Sequence, residues 1–435
     1  VGGPNQGIAD VWIAHYSALG NRLWILQFGS EMVDRPTAAA PDGFGGVYVA
    51  GITEGSLPGP KQGDRDGWIA RYDASGRQLW ITQFGSSEYD SVTDATVDSD
   101  GGVILCGNTS GDLAAPNAGI GDPFVVRFDP SGAMSWASQF GSADQDLFGS
   151  VAADAAGGAY VAGHTQGTLT GPSAGGFDVW FAHYDAVGTQ TFLRQLGTPG
   201  DDLLRVAIPD ASGGLFLTGS TQGDLGTGGQ SAGTNWLGHF DSSGNEIWLS
   251  QFGIERQLAA LDGAPNEKGG VYLGGFVGLS PGPANTWTGR FDDIATETYC
   301  SPAVANSTGT EGKVSASGSG VVAMGDLVLR ADDLPPSSFG YFLNSLTRDM
   351  VVVAGSPGVL CLGAPVGRFT GLGEVQNSGG AGMLSLAIDL TSIAQPNGAV
   401  TVQPGDTWHF QAWHRDLVGG TASSNFTNGL SVMFQ

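Results

Sequence analysis

Short apolar runs follow one another along this chain, and Gly, Pro, Asn or Asp breaks each run after a few residues. The runs are rich in β-branched and aromatic residues and too short for stable helices, so they predict strands. Four kinds recur in order. The first is small: TAAAPD, TDATVD, SVAADA, VAIPDA, DGAPNE. The second is VYVAGIT, VILCGNT, AYVAGHT, LFLTGST, VYLGGFV. The third is VWIAHYS, GWIARYD, PFVVRFD, VWFAHYD, NWLGHFD and a sixth copy, TWTGRFD. The fourth is LWILQFGSEMVD, LWITQFGSSEYD, SWASQFGSADQD, TFLRQLGTPGDD, IWLSQFGIERQL. Its glutamines are Gln27, Gln83, Gln139, Gln195 and Gln251, a period of 56 residues without slip. A fixed period of this size signals a repeat architecture.

The connections carry turn chemistry. PDGFGG, DSDGG, DAAGG, DASGG and NEKGG join the first run to the second, and DASG, DPSG, DAVG and DSSG join the third to the fourth. Glycine there supplies the positive φ of tight hairpins. Each repeat is therefore expected to be a four-stranded antiparallel meander, and the fold an all-β β-propeller of four-stranded blades. Strands next to a propeller axis crowd one another. The small column Ala39, Ala95, Val151, Ala207, Gly263 assigns the first strand to the inside. Trp24, Trp80, Trp136, Phe192 and Trp248 in the fourth strand suit the wider gaps between blades further out. Strand types one, two and four occur five times and type three six times. That predicts five blades, the last assembled from both chain ends with one third-type strand left over. A trimmed N-terminus would raise the number to six or more.

The features D-x-W-x-A-R-Y-D-x-S-G, W-x-x-Q-F-G-S and D-x-x-G-G-V-Y-V-A-G-x-T resemble the bacterial SBBP-type β-propeller repeat family, over about residues 8 to 293. The resemblance implies a secreted or surface-exposed scaffold and no particular reaction, because one fold hosts many functions.

From Tyr299 the period disappears. DLVLRADDL, MLSLAIDLTS and DTWHFQAWHRD alternate apolar and polar residues between Gly, Pro, Ser and Asn clusters, which predicts a β-sandwich of jelly-roll or immunoglobulin-like type. YCSPAVANSTG and FQAWHRD resemble a C-terminal module of large secreted bacterial proteins. The expected domains are 1–293, a β-propeller, and 294–435, a β-sandwich. Cys300 and Cys361 both lie in the second and could pair as a disulfide in an exported protein.

The formal charge is −25, of which −20 falls up to Asp293 and −5 beyond it. Such a surface repels nucleic acid and anionic membranes and favours cations, although Asp is also a common turn residue. No run of apolar residues is long enough for a membrane helix. The chain starts at Val1 without a charged-then-apolar leader, read as a processed or trimmed N-terminus of an extracellular or cell-surface protein.

Candidate chemistry is sparse. Asp34, Asp90, Asp146 and Asp202 precede the first strands and would lie near one mouth of a propeller, where a carboxylate ring could hold Ca²⁺; Leu258 replaces the fifth. The alternative is that each carboxylate fixes its own turn. The third strand carries His15, Arg71, Arg127, His183, His239 and Arg290 in one column. Because Arg replaces His, pairing with a carboxylate fits this column better than metal binding. His409 and His414 are five apart on one predicted strand and face opposite ways, as do Trp408 and Trp413. Cys106 occupies a small-residue position and reads as a buried hydrophobe. DSDGG at Asp98–Gly102 lacks the spacing of a calcium loop.

No H-E-x-x-H, P-loop or Cys–His pairing occurs. The expectation is an exported, non-enzymatic structural or adhesive scaffold whose partners are copies of itself or another cell-surface protein. The leftover strand, Trp287–Phe291 or Trp12–Tyr16, could add to a neighbour's sheet edge. The alternative is a carbohydrate-binding propeller with repeated inter-blade aromatic sites and glycan partners. A hydrolase or lyase would need residues that break the repeat, which concentrate around Ile254 to Leu261.

Overall fold

The computed structural model describes residues 2–210, 213–225, 234–252, 258–266, 270–277, 285–291, 295–318, 320, 322, 325, 327–419 and 421–434. Residues 254–257 and Asp293, and the side chains of Leu258, Trp287 and Arg290, lie outside the described residues. Among the described residues the named elements are strands, and two compact units form: Val1–Pro265 with Tyr272–Gly289, and Asn266–Val271 with Arg290–Gln435.

In the first unit each repeat is one sheet. The chain opens with β1 (Val11–Tyr16) paired to β2 (Arg22–Phe28). Four blade-like antiparallel meanders follow. They are β3 (Asp34–Pro41), β4 (Val47–Thr53), β5 (Asp66–Tyr72) and β6 (Gln78–Phe84); then β7 (Asp90–Val97), β8 (Val103–Thr109), β9 (Asp122–Phe128) and β10 (Met134–Gln139). The next is β11 (Asp146–Ala153), β12 (Ala159–Thr165), β13 (Asp178–Tyr184) and β14 (Gln190–Leu196). The last complete one is β15 (Asp202–Pro209), β16 (Leu215–Thr221), β17 (Thr234–Phe240) and β18 (Glu246–Phe252). A three-stranded sheet of β19 (Leu258–Pro265), β20 (Val271–Val277) and β21 (Asn285–Phe291) closes the series.

First strands contact first strands from one sheet to the next: β3 with β7, β7 with β11, β11 with β15 and β15 with β19. Their small residues permit this approach. Each first strand of the complete sheets shifts register at the same place, between Pro36/Ala38, Val92/Asp94, Phe148/Ser150 and Leu204/Val206. A bulge of this kind adds local twist. Among the described residues the sheet at the chain start, β1-β2, and the sheet β19-β20-β21 form separate hydrogen-bonded ladders. A short connection within the same repeat closes a smaller loop than joining distant ends, so local pairing costs less entropy.

Apolar layers fill the spaces between successive sheets. Tyr48, Ile69, Phe84, Leu105, Phe124 and Phe128 belong to one cluster drawn from two adjacent sheets. The fourth-strand indoles seal the outer part. Trp24 Nε1 donates to Ala74 O at 2.9 Å and Trp80 Nε1 to Pro130 O at 3.0 Å, each in the next sheet's hairpin turn. The glycine of that turn has positive φ and lies under the indole. A Cβ on Gly76 would come within 2.8 Å of Trp24, and one on Gly132 within 2.7 Å of Trp80.

The second unit holds β22 (Ala295–Tyr299), β23 (Lys313–Ser317), β24 (Val328–Asp332), β25 (Phe339–Ser345), β26 (Arg348–Val352) and β27 (Val359–Leu362). It continues with β28 (Gly367–Arg368), β29 (Gln376–Asn377), β30 (Leu384–Ala387), β31 (Thr407–Val418), β32 (Thr421–Phe426) and β33 (Gly429–Met433). One sheet runs β22-β33-β31-β25-β28, with β29 on β25 and β32 on β31; a second runs β23-β24-β30. Leu329 and Leu384 from the second share a core with Phe342, Trp408, Phe410 and Val432 from the first. Cys300 and Cys361 are joined as a disulfide, 61 residues apart in sequence.

Candidate functional site

The repeated phrase Q-F-G-S-x-x-x-D is a self-contained clamp. Gln139 is buried; its Oε1 accepts from the backbone of Leu113 at 2.9 Å and Ala114 at 3.0 Å, and its Nε2 donates to Gly111 O and Asp122 Oδ2 at 3.0 Å each. The amide thus ties down the connection between second and third strands. Gln83 does the same with Leu57, Gly55 and Asp66, and Gln195 with Leu169, Gly167 and Asp178. The phenylalanine packs on the next sheet: Phe28 lies edge-on to Trp68 at 5.4 Å and Phe140 to Trp180 at 5.1 Å. The glycine faces carboxylates. A Cβ on Gly141 would sit 2.2 Å from Asp122 Oδ1 and 3.1 Å from Asp146 Oδ2.

The serine and aspartate close the phrase. Asp34, Asp90, Asp146 and Asp202 are buried, and each accepts from the backbone N–H and hydroxyl of Ser30, Ser86, Ser142 or Thr198 in its own turn. Thr53, Thr165 and Thr221 hydroxyls also donate to Asp34, Asp146 and Asp202. Burial pushes the carboxyls of Asp90 and Asp202 upward. Among the described residues no three His, Cys, Asp or Glu side chains gather closely enough to hold a metal ion. The geometry therefore does not bring these four aspartates together as a Ca²⁺ ring; each is held in its own turn by donors from the same sheet.

Four of the six residues in the basic column pair with hairpin carboxylates; His15 Nδ1 has no hydrogen-bond partner among the described residues, and the Arg290 side chain lies outside them. Arg71 meets Asp42 at 3.0 Å, Arg127 meets Asp98 at 2.7 Å, His183 meets Asp154 at 2.7 Å and His239 meets Asp210 at 3.1 Å. The same aspartates cap their turns: Asp42 Oδ1 accepts from Phe44 N and Gly46 N. One carboxylate so fixes both a hairpin and the strand beyond it. Asp98, in DSDGG, does this as well. In the second unit Trp408 is fully buried, while Trp413 packs against a smaller cluster. His409 Nδ1 lies 2.7 Å from Ser431 Oγ, and His414 Nδ1 lies 3.2 Å from Arg415 O, so the two do not converge. Cys106 is fully buried, and burial pushes its thiol well up.

What the repeats leave over is more informative. At the junction of the third and fourth complete sheets, counted by the β11–β14 and β15–β18 meanders, a cavity of about 400 Å³ opens. Its polar wall comprises Thr170, Asp178, Gln195, Asp224 and Glu246, with Leu249 among its apolar side. Asp178 is buried, and its Oδ1 has no hydrogen-bond partner. Its Oδ2 accepts from Ala174 N and Gln195 Nε2, both at 2.9 Å. Burial also raises the Glu246 carboxyl. The sequence reading passed over Asp224 and Glu246. The signal was a departure from the column: Asp224 replaces Ser56 and Thr168 while matching Asp112, and Glu246 replaces Arg22, Gln78, Met134 and Gln190. Acids at both positions meet at this junction among the complete sheets.

A second departure lies on the first strands. The column Ala38, Asp94, Ser150, Val206, Asp262 follows the bulge. Asp94 Oδ2 accepts from Ser150 Oγ at 3.1 Å and Val151 N at 3.0 Å, tying β7 to β11. Burial raises this carboxyl, with the charge of Asp262 acting in the same direction.

No family model matches the chain. Over 202 residues it is 26% identical to the regulatory protein FlaEY of Caulobacter vibrioides, a match covering 41% of this chain and 21% of that protein. The chain thus spans about a fifth of that relative's length. Among solved structures it is similar to a protein of unknown function from Bacteroides caccae, with 11% identity, 62% of this chain and 84% of that one covered, and TM-score 0.36. It is similar also to a family PL25 ulvan lyase, with 12% identity, coverage of 82% and 92%, and TM-score 0.32. Likenesses at this level bear on neither activity nor ligand.

Proposed function

We propose that this chain is an exported, non-enzymatic scaffold: an SBBP-type β-propeller carrying a C-terminal β-sandwich, placed outside the cell or on its surface. In this reading the sheets are blades around one axis. The observation that carries it is the use of the repeated polar residues. Gln139 and its equivalents, Asp146 and its equivalents, and the base–aspartate pairs all bind elements of their own repeat. A surface organised this way is rigid and presents the same face many times. Light-scattering mass, measured with and without EDTA, tests it. A defined assembly supports a structural role, and its collapse in EDTA implicates a cation. A monomer under both conditions removes self-assembly.

A second reading is carbohydrate binding, and the cavity at Asp178, Asp224 and Glu246 favours it. The repeated aromatic positions do not. Trp24 and Trp80 already donate their N–H groups and stack on glycine turns, so they offer no open platform. Glycan binding would accordingly involve one site rather than several equivalent ones. A stoichiometry near one ligand per chain is expected, and several equal sites would refute this form of the reading.

A further inference from the structure

Residues 304–312, between β22 and β23, are tied across β31 and β32 by polar bonds. Asn425 Nδ2 donates to Val304 O at 3.1 Å and Ala305 O at 3.3 Å, Ser307 N donates to Asp416 Oδ1 at 2.9 Å, and Asn428 N donates to Gly312 O at 3.3 Å. His414, 1% exposed, lies against the end of this segment. Its Nδ1 stands 3.2 Å from Arg415 O, which can only accept, so Nδ1 carries the proton and Nε2 is a bare acceptor. Nε2 is buried without a partner. A Cβ on Gly312 would stand 3.6 Å from Nε2, 3.0 Å from Leu334 Cδ2 and 3.2 Å from Thr427 Cγ2, so apolar atoms crowd the space before that nitrogen.

We propose that residues 304–312 form a strap that acid releases, with His414 as the sensor and Asp416 as the latch. Neutral His414 fits its closed surroundings. Protonation puts an N–H and a charge where no acceptor stands, and burying either uncompensated is costly. The imidazolium then has one anion on its own face of β31, Asp416, two residues on. Asp416 holds the strap through Ser307 N, and also accepts, at 3.4 Å, from the Asn425 amide that carries Val304 and Ala305. Drawing its carboxylate toward His414 undoes these bonds. Among the charges on the elements packed around His414, Asp416 is the one that acts on it. Arg415 turns to the opposite face of β31. Gly340 on β25 and Asn425 on β32, the residues opposite His414, carry no charge. Glu311 and Lys313 flank Gly312, Asp333 precedes Leu334, and Lys313 pairs with Asp333 at 3.0 Å. Burial holds the His414 imidazole below its ordinary value, against the Arg415 carbonyl and the Asp416 charge. Burial raises the Asp416 carboxyl, but donors from Ser307, Leu417 and Asn425 outweigh it and keep it below its ordinary value, so it is ionised while His414 titrates. With the folded His414 value below the unfolded one, protection of the strap is complete above about pH 6.5 and is lost as pH falls below that.

The test is amide hydrogen exchange of the full chain between pH 7 and 4.5, corrected for intrinsic rates, with the His414 ring titrated in parallel by NMR. Protection over residues 304–312 should fall about ten-fold per pH unit below 6.5 and level off at the His414 midpoint. Exchange over β3–β6, which hold no histidine, is the reference. His414→Gln should remove the acid step, and Asp416→Asn should leave the strap weakly protected at both ends of the range. Circular dichroism shows whether each variant is folded; if His414→Gln is not, coincidence of the strap and His414 midpoints in the wild type decides. Strap protection that does not change with pH overturns the inference. An acid step that survives in His414→Gln, or whose midpoint departs from that of His414, belongs to another group and overturns it. An Asp416→Asn protein as protected as the wild type at pH 7 removes the latch and overturns it as well.

Discussion

Replacing Gln139 by alanine removes the centre of one clamp and nothing else. Its side chain is 8% exposed, and it makes five hydrogen bonds between 2.9 and 3.3 Å. Three backbone donors, Leu113 N, Ala114 N and Ala115 N, lose their acceptor; Gly111 O and Asp122 lose a donor. Asp122 already has an unpartnered Oδ1 and would keep only Ala118 N at Oδ2. A net neutral bond is worth about 1 kcal/mol and one to a charge about 1.5–3 kcal/mol. The bonds share one side chain and water can enter the space it vacates, so the loss is set at roughly 3–4 kcal/mol rather than their full sum. Guanidinium unfolding followed by tryptophan fluorescence measures it, and hydrogen exchange over residues 110–122 locates it. Gln62→Ala, at an exposed site, is the control and should stay within about 0.5 kcal/mol. A loss below about 1 kcal/mol with unchanged exchange over 110–122 would refute the clamp.

Other outcomes follow from the same geometry. Gly141→Ala places a methyl 2.2 Å from Asp122 Oδ1 and should cost about 1–3 kcal/mol, whereas Gly171→Ala meets nothing within 4 Å and should be nearly silent in the same unfolding assay. The His164 imidazole is pushed down to about 4, from 6.5, by burial and then by the Arg205 charge. Its folded value lies below its unfolded one, so its contribution is complete above pH 6.5 and is lost as pH falls toward about 4. The loss is at most roughly 3 kcal/mol before solvent screening, and His164→Asn should flatten that part of the stability profile. Cys300→Ala with Cys361→Ala opens a 61-residue separation and should lower the stability of the second unit by about 4 kcal/mol on chain entropy, read by thermal unfolding under oxidising conditions. If the double variant melts like the wild type, the bridge does not stabilise this unit.

The strand order was legible because its signals are local. Run length, the 56-residue period and glycine at the turns need no partner to be read, and they place β3 to β18 in four equal meanders. The pairing of His183 or Arg127 with a carboxylate was also legible, since a column that accepts either base excludes a metal. The role of the glutamine was not. Its partners are 17 to 28 residues away, and only the fold brings Leu113, Gly111 and Asp122 to one amide. The four aspartates were ambiguous for the same reason: one spacing serves a ring around an axis or a cage within a turn, and hydrogen bonds to Ser30 and its counterparts decide for the cage. Asp178, Asp224 and Glu246 come from three separate strands or loops, so no sequence window contains the cavity they line. By itself the sequence determined the repeating unit, which follows from local propensity and periodicity. The tertiary structure decided which polar groups are consumed in holding that unit, because that depends on distances between segments far apart in the chain.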